Sequence, residues 1–236
     1  MSTPVDYNGH EHELEPQFGL PEPLPGSERI LWQGSPDWRG LAVRVFHVRK
    51  LALYFGAILA LRGVLLMADG VAAADAAIDL LWLAPLPLFA LAILASLAWM
   101  TGRTTVYTLT DKRLVMRIGI VLTLTFNLPL RTLRNADLRV DRDGSGDIAV
   151  QLPDEDHIGY LNLWPHARPW RLRHPQPMLR SVPDAAAVAR TMVEAWSAVT
   201  GVAATGSVVA SPAQATAPRR APAASHGGAA GALPAH

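Results

Sequence analysis

Apolar residues crowd into two unbroken runs, 51–68 and 80–100, separated by a short acidic stretch. The first run holds a single charged residue, Arg62, and the second holds none. At about 1.5 Å per helical residue, each run is about long enough to cross a hydrocarbon core of about 30 Å. Neither shows the polar stripe of a helix lying on a soluble domain. The pattern therefore predicts a transmembrane hairpin over 44–101 rather than a buried helical pair. Trp82 and Trp99 lie near the two ends of the second run, where indoles favour the headgroup boundary. Pro85 and Pro87 predict a kink in that helix or the end of a short entry turn.

Beyond the hairpin the hydrophobic period shortens. Thr104 to Leu109, Arg113 to Ile118 and Val121 to Leu128 read as strands, with Thr110-Asp111-Lys112 as a turn and Gly119 as a break. Leu138 to Asp141 and Ile148 to Leu152 flank Asp143-Gly144-Ser145-Gly146-Asp147 as a hairpin, and Ile158 to Leu163 reads as a further strand. Helical spacing returns over Asp184 to Val199, at Val188, Met192 and Trp196. Ser181 or Asp184 are its candidate caps, and Pro183 suits an early helical position. These elements predict one domain over 102–200, a small β-barrel or sandwich capped by a C-terminal helix. The leader, 1–43, is polar at its start and has room for a first strand of the same domain. Residues 201–236, rich in Ala, Pro, Gly and Ser, are expected to be disordered, with Arg219 and Arg220 a solvated pair.

Charge orients the hairpin. Arg39, Arg44, Arg49 and Lys50 precede it, Arg103, Lys112, Arg113 and Arg117 follow it, and Asp69, Asp75 and Asp79 lie between its arms. The positive-inside rule places both termini in the cytoplasm. The leader lacks the apolar core of a signal peptide, so the first span is expected to act as the targeting signal. A formal net charge of +1 argues against a nucleic-acid partner. The absence of cysteine excludes disulfides, thiolate metal sites and a cysteine nucleophile.

Few residues carry chemistry. Asp141, Asp143, Ser145 and Gly146 match the early cues of a calcium loop, yet Leu152 stands where a bidentate Glu belongs, so a hairpin turn is expected. His10-Glu11-His12-Glu13 reads as a solvated run without a scaffold for metal. No phosphate loop or Ser/His/Asp arrangement is recognisable, and no catalytic residue is assigned. Arg62 is costly inside a span. Its guanidinium either snorkels toward Asp69, seven residues on, or meets an acidic or carbonyl group on a client helix. His47, just before the first span, reads as a boundary residue rather than a pigment ligand. Trp164 to Leu179 carries Trp164, His166, Arg168, Trp170, Arg171, Arg173 and His174 among four prolines. Three readings stay open for it: a partner surface, a loop capping the core, or a patch resting on an anionic leaflet. As a partner surface its residues are Trp164, His166, Arg168, Trp170 and Arg171, with Arg62 the further candidate in the membrane.

Two resemblances follow from these residues. Tyr107-Thr-Leu-Thr-Asp-Lys-Arg-Leu-Val-Met-Arg-Ile-Gly119, with Leu24-Pro-Gly-Ser-Glu-Arg-Ile-Leu-Trp-Gln-Gly34 upstream, resembles the signature of bacterial pleckstrin-homology-like (PH-like) domains. A narrower likeness spans roughly Glu11 to Val199. Gly19 to Pro25, Phe46-His-Val-Arg-Lys50, Arg117 to Pro129 and Trp164-Pro-His-Ala-Arg-Pro-Trp170 together resemble the PuhB-type photosynthetic complex assembly proteins of purple bacteria. That likeness implies a non-catalytic role in assembling the reaction centre and its core antenna. The implied partners are reaction-centre subunits, H or the L/M pair, core antenna polypeptides and membrane lipid. The implied location is the bacterial inner (intracytoplasmic) membrane. No cofactor is expected, with transient bacteriochlorophyll contact and homo-oligomerisation left open. The alternative is a general membrane-bound lipid- or peptide-binding PH-like module unrelated to photosynthesis.

Overall fold

In a computed structural model of the chain, residues 19–20, 22–120, 122–153 and 158–201 are described. The expected disorder after Gly201 and the run His10–Glu13 lie outside these residues. The first strand, β1 (Ile30–Gly34), comes from the leader. Helix α1 (Trp38–Arg44) follows, its N-cap Asp37 accepting from the backbone N–H groups of Arg39 and Gly40. Then come α2 (Val48–Ala68), α3 (Ala73–Leu83) and α4 (Pro85–Thr104).

The apolar hairpin is therefore three helices rather than two. The acidic stretch does not stay a loop: Asp75 and Asp79 lie on α3, and the connection shrinks to 69–72. The break falls at Ala84, just before Pro85, because proline lacks the N–H that an uninterrupted helix needs and is well suited to a first turn. By length and composition α2 (21 residues) and α3–α4 (32 residues) are each sufficient to cross a membrane. Most of their side chains face outward, with only Leu66 of α2 and Ala76, Ala98, Thr101 and Gly102 of α3–α4 buried.

The chain then builds β2 (Val106–Thr110), β3 (Arg113–Ile118), β4 (Leu124–Pro129), β5 (Asn135–Val140), β6 (Gly146–Gln151), the short helix α5 (Tyr160–Leu163), β7 (Met178–Val182) and α6 (Ala185–Thr200). One antiparallel sheet has the order β1-β2-β3-β4 and a second has β5-β6-β7. No barrel closes. The two sheets instead share one core, with Tyr107, Leu109 and Met116 from the first meeting Ile148, Val150 and Leu179 from the second. Helix α6 adds Val188 and Met192 to that core.

Three local expectations change. Ile158 to Leu163 is not a strand, since Gly159 caps the single turn of α5. The segment 164–179, offered as a loop or a surface patch, ends in a strand, because β7 begins immediately after Pro177 and holds no proline itself. Asp184 occupies the N-cap of α6 at a φ of 48° without a side-chain cap bond, Pro183 stands before the cap, and Ser181 is inside β7.

Candidate functional site

The two PH-like motifs meet each other. Thr110 Oγ1 donates to Glu28 Oε1 at 2.7 Å, and Arg113 Nε reaches the same oxygen at 2.7 Å. Arg29 N–H donates to Asp111 Oδ1 at 3.0 Å, and Lys112 Nζ to Ser27 Oγ at 2.8 Å. Glu28 is almost completely buried, so its charge needs these donors. The Thr-Asp-Lys-Arg turn thus clamps the leader and pins β1 against β2. A groove of about 350 Å³ lies beside it, between Leu20, Glu22, Pro23 and Pro25 on one side and Arg113, Val115, Thr125 and Asn127 on the other.

Helix α1 joins this domain to the apolar hairpin. Leu41, Ala42 and Phe46 pack with Ala98, Leu94 and Leu97 of α4 in a second small core. On its other side Arg44 pairs with Asp141 and donates to Ser145 Oγ at 2.8 Å, while Asp37 N–H donates to Ser181 O at 2.9 Å. The hairpin turn that resembles a calcium loop is occupied by this pairing. Asp143 accepts the Ser145 hydroxyl at 2.6 Å, which holds its carboxyl below the usual range. Among the described residues no cluster of His, Asp and Glu has metal-site geometry.

The Trp164 to Leu179 segment divides in two. Trp164, Trp170 and Arg171 lie at the surface, and Trp170 is nearly fully exposed at a φ of 65°. Arg168 is turned inward to Asp137 and to Gln176 Oε1 at 2.9 Å. His166, named among the residues of a partner surface, is instead fully buried, which fits the reading of a loop that caps the core. Its Nδ1 lies 2.7 Å from Tyr107 Oη and its Nε2 3.2 Å from Thr105 Oγ1. Tyr107 Oη also accepts the Arg180 N–H at 3.1 Å, so its own proton is free to go to Nδ1, which leaves Nε2 protonated toward Thr105. Burial, then the nearby Arg180 charge, pushes the His166 pKa down to about 3. Burial pushes the Tyr107 phenol up. Arg180 is buried beside Asp147 at 3.5 Å, and Asp147 accepts the Ser181 N–H at 2.9 Å. This network supports the loop from below; nothing in the spacing of Tyr107, His166 and Arg180 along the chain announces it.

Arg62 pairs with Asp79 of α3 at 3.2 Å rather than with Asp69, which caps the end of α2. Both members of the pair are about half exposed. His47 is exposed at a φ of 54°, between α1 and α2. The residue before it, Phe46, meets Trp164 edge to face at 5.8 Å between ring centroids. Phe46 is the contact that sequence reasoning missed: it ties the Trp/Arg segment to the first turn of the apolar hairpin.

The profile of the Bacterial PH domain family matches residues 52–196. A protein of Rhodobacter capsulatus, described as an uncharacterized 23.7 kDa protein in the puhA 5′ region, is 38% identical over 193 residues. The match covers 80% of this chain and 89% of that protein. No solved structure matches the chain significantly.

Proposed function

The chain belongs to the bacterial PH domain family and is of the PuhB type, and from that premise we propose that it is a membrane-anchored, non-catalytic assembly factor. Its clients are the photosynthetic reaction centre and the core antenna around it. The observation that carries this reading is the relative from the puhA 5′ region, at 38% identity over most of both chains, which links the family to a photosynthesis gene cluster. The structure supports the mechanical half of the reading. Helix α1 packs on α4 and is bonded to the β5–β6 turn and to β7, so the PH-like domain is braced against the apolar hairpin instead of swinging on a linker.

With α2 and α3–α4 spanning the inner membrane and both termini cytoplasmic, the domain is confined to the membrane plane, which raises its effective concentration toward integral clients. It would hold a reaction-centre subunit, H or the L/M pair, until its partners arrive. The test is the near-infrared absorption of membranes from a phototrophic host lacking this gene. A selective fall in reaction-centre and core-antenna bands, restored by the gene, is expected. Unchanged bands with normal phototrophic growth would sink the assembly role and leave the general lipid- or peptide-binding module, for which the groove beside Glu28 is the place to look.

A further inference from the structure

We propose that the segment from α5 to β7 is a membrane-docking element. Leu161, Trp164, Trp170 and Leu172 enter the headgroup region beside the cytoplasmic ends of the spans, and Arg171 and Arg173 meet the phosphates of anionic lipids. The inference rests on the reading above that α2 and α3–α4 cross the bilayer.

Four observations converge on a lipid surface. The first is position. Trp164 packs on Phe46, two residues before α2 begins, so the end of α5 is held at the level where the first span would leave the membrane. The second is exposure. Leu161 is 85% exposed, Trp170 95% and Leu172 68%, a heavy apolar load for a short loop in water. Trp170 and Leu172 alternate with Arg171 and Arg173 along the loop, which suits an interface with both acyl and headgroup character.

The third is charge: from Ile158 to Pro183 the sequence has four arginines and two histidines and no Asp or Glu. Arg168 and Arg180 are engaged with Asp137 and Asp147, whereas Arg171 and Arg173 are exposed. The fourth is company. Trp38 lies against Gly102 in the last turns of α4, where an added Cβ would come within 2.8 Å of the tryptophan Cβ. Trp99 is on the same helix, one turn before Arg103. Arg39 and Arg103 stack over the Trp38 and Trp99 rings at 5.6 and 5.1 Å. With Trp164 these half-exposed indoles form the aromatic belt expected at a membrane boundary.

The chain contains no cysteine, so single labels are clean. Spin labels at Leu161→Cys and Leu172→Cys, on the full chain in nanodiscs, are read by collision with oxygen and with a water-soluble nickel chelate. Discs of phosphatidylcholine alone are compared with discs that also contain phosphatidylglycerol. Leu88→Cys in α4 reports the span, and Leu122→Cys on the exposed β3–β4 turn reports water. The expected result is that both loop labels favour oxygen several-fold more than the Leu122 label does. Phosphatidylglycerol should strengthen that preference, and Arg171→Gln with Arg173→Gln should weaken it. Loop labels as open to nickel as Leu122, with Leu88 protected, would overturn the docking while leaving the spans intact; a protein client would then be the occupant. A Leu88 label open to nickel would overturn both the span and the docking. Equal depth in the two kinds of disc would overturn the pairing of the arginines with lipid phosphate.

Discussion

His166 sits at the centre of a buried polar set that a pH change can test. Its pKa lies at about 3 in the fold and near 6.5 in an unfolded chain, so above about pH 6.5 the imidazole is neutral in both states and titration has no effect on stability. Below that, the unfolded chain takes up a proton that the folded chain refuses, and stability falls by about 1.4 kcal/mol per pH unit until the folded group also titrates near 3. The imidazole of His166 should therefore show no NMR titration over about pH 5 to 8, where exposed histidines do. In the full chain in detergent, His166→Gln should lower the acid-side slope of stability by about one proton. A His166 resonance titrating near 6.5 would contradict the burial that sets this shift. The residue scale is where the sequence was least decisive. A histidine between Pro165 and Ala167 in an Arg/Trp-rich segment suits a surface as well as a core, and its partners Thr105, Tyr107 and Arg180 are 61, 59 and 14 positions away.

At the scale of elements, bounds were most legible where a turn, a break or one apolar face marks them. Strand β3 fills the interval between the Thr110-Asp111-Lys112 turn and the Gly119 break, and α6 matches its helical spacing to within a residue. Helix α5 and strand β7 were illegible for a physical reason. Ile158 to Leu163 has the composition of a strand, but Gly159 opens a turn and no neighbouring strand takes up its backbone. The prolines around β7 masked a run, Met178 to Val182, that needs only a free edge of β6. Helix α1 was equally hidden, since seven residues give too short a pattern, yet it is the brace of the molecule. Arg44→Ala should release that brace, leaving Asp141 paired with Arg139 at 3.7 Å. Amide exchange at Val45 and Phe46 should rise at least several-fold while α6 is unchanged, and domain stability should fall by about 1–3 kcal/mol. Unaltered exchange around α1 would show that its packing on α4 suffices alone.

At the scale of the whole molecule, the PH-like domain is written on both sides of the hairpin. Strand β1 precedes the apolar helices and pairs with β2 after them, from Ile30 with Thr110 to Gly34 with Tyr107. During synthesis β1 must wait for some 70 residues of hairpin before its partner exists, a non-local pairing of the kind that folds late. Without β1, strand β2 loses its ladder on one side, and Arg113 and Thr110 lose the Glu28 carboxylate. A piece cut at 102–200, the boundary that hydropathy alone suggests, should therefore fail to unfold cooperatively on heating and should aggregate through the bare β2 edge. Joining 19–47 to 104–201 through a long Gly/Ser linker restores β1, the clamp and α1, and should restore a single cooperative transition. Glu28→Gln in that joined chain keeps the strand and removes only the charge, so it should lower the midpoint without abolishing the transition. If the 102–200 piece melts cooperatively at the same temperature as the joined chain, β1 is an ornament on the sheet. If it does not, the leader and the domain are one folding unit, and the hairpin is an insertion within it.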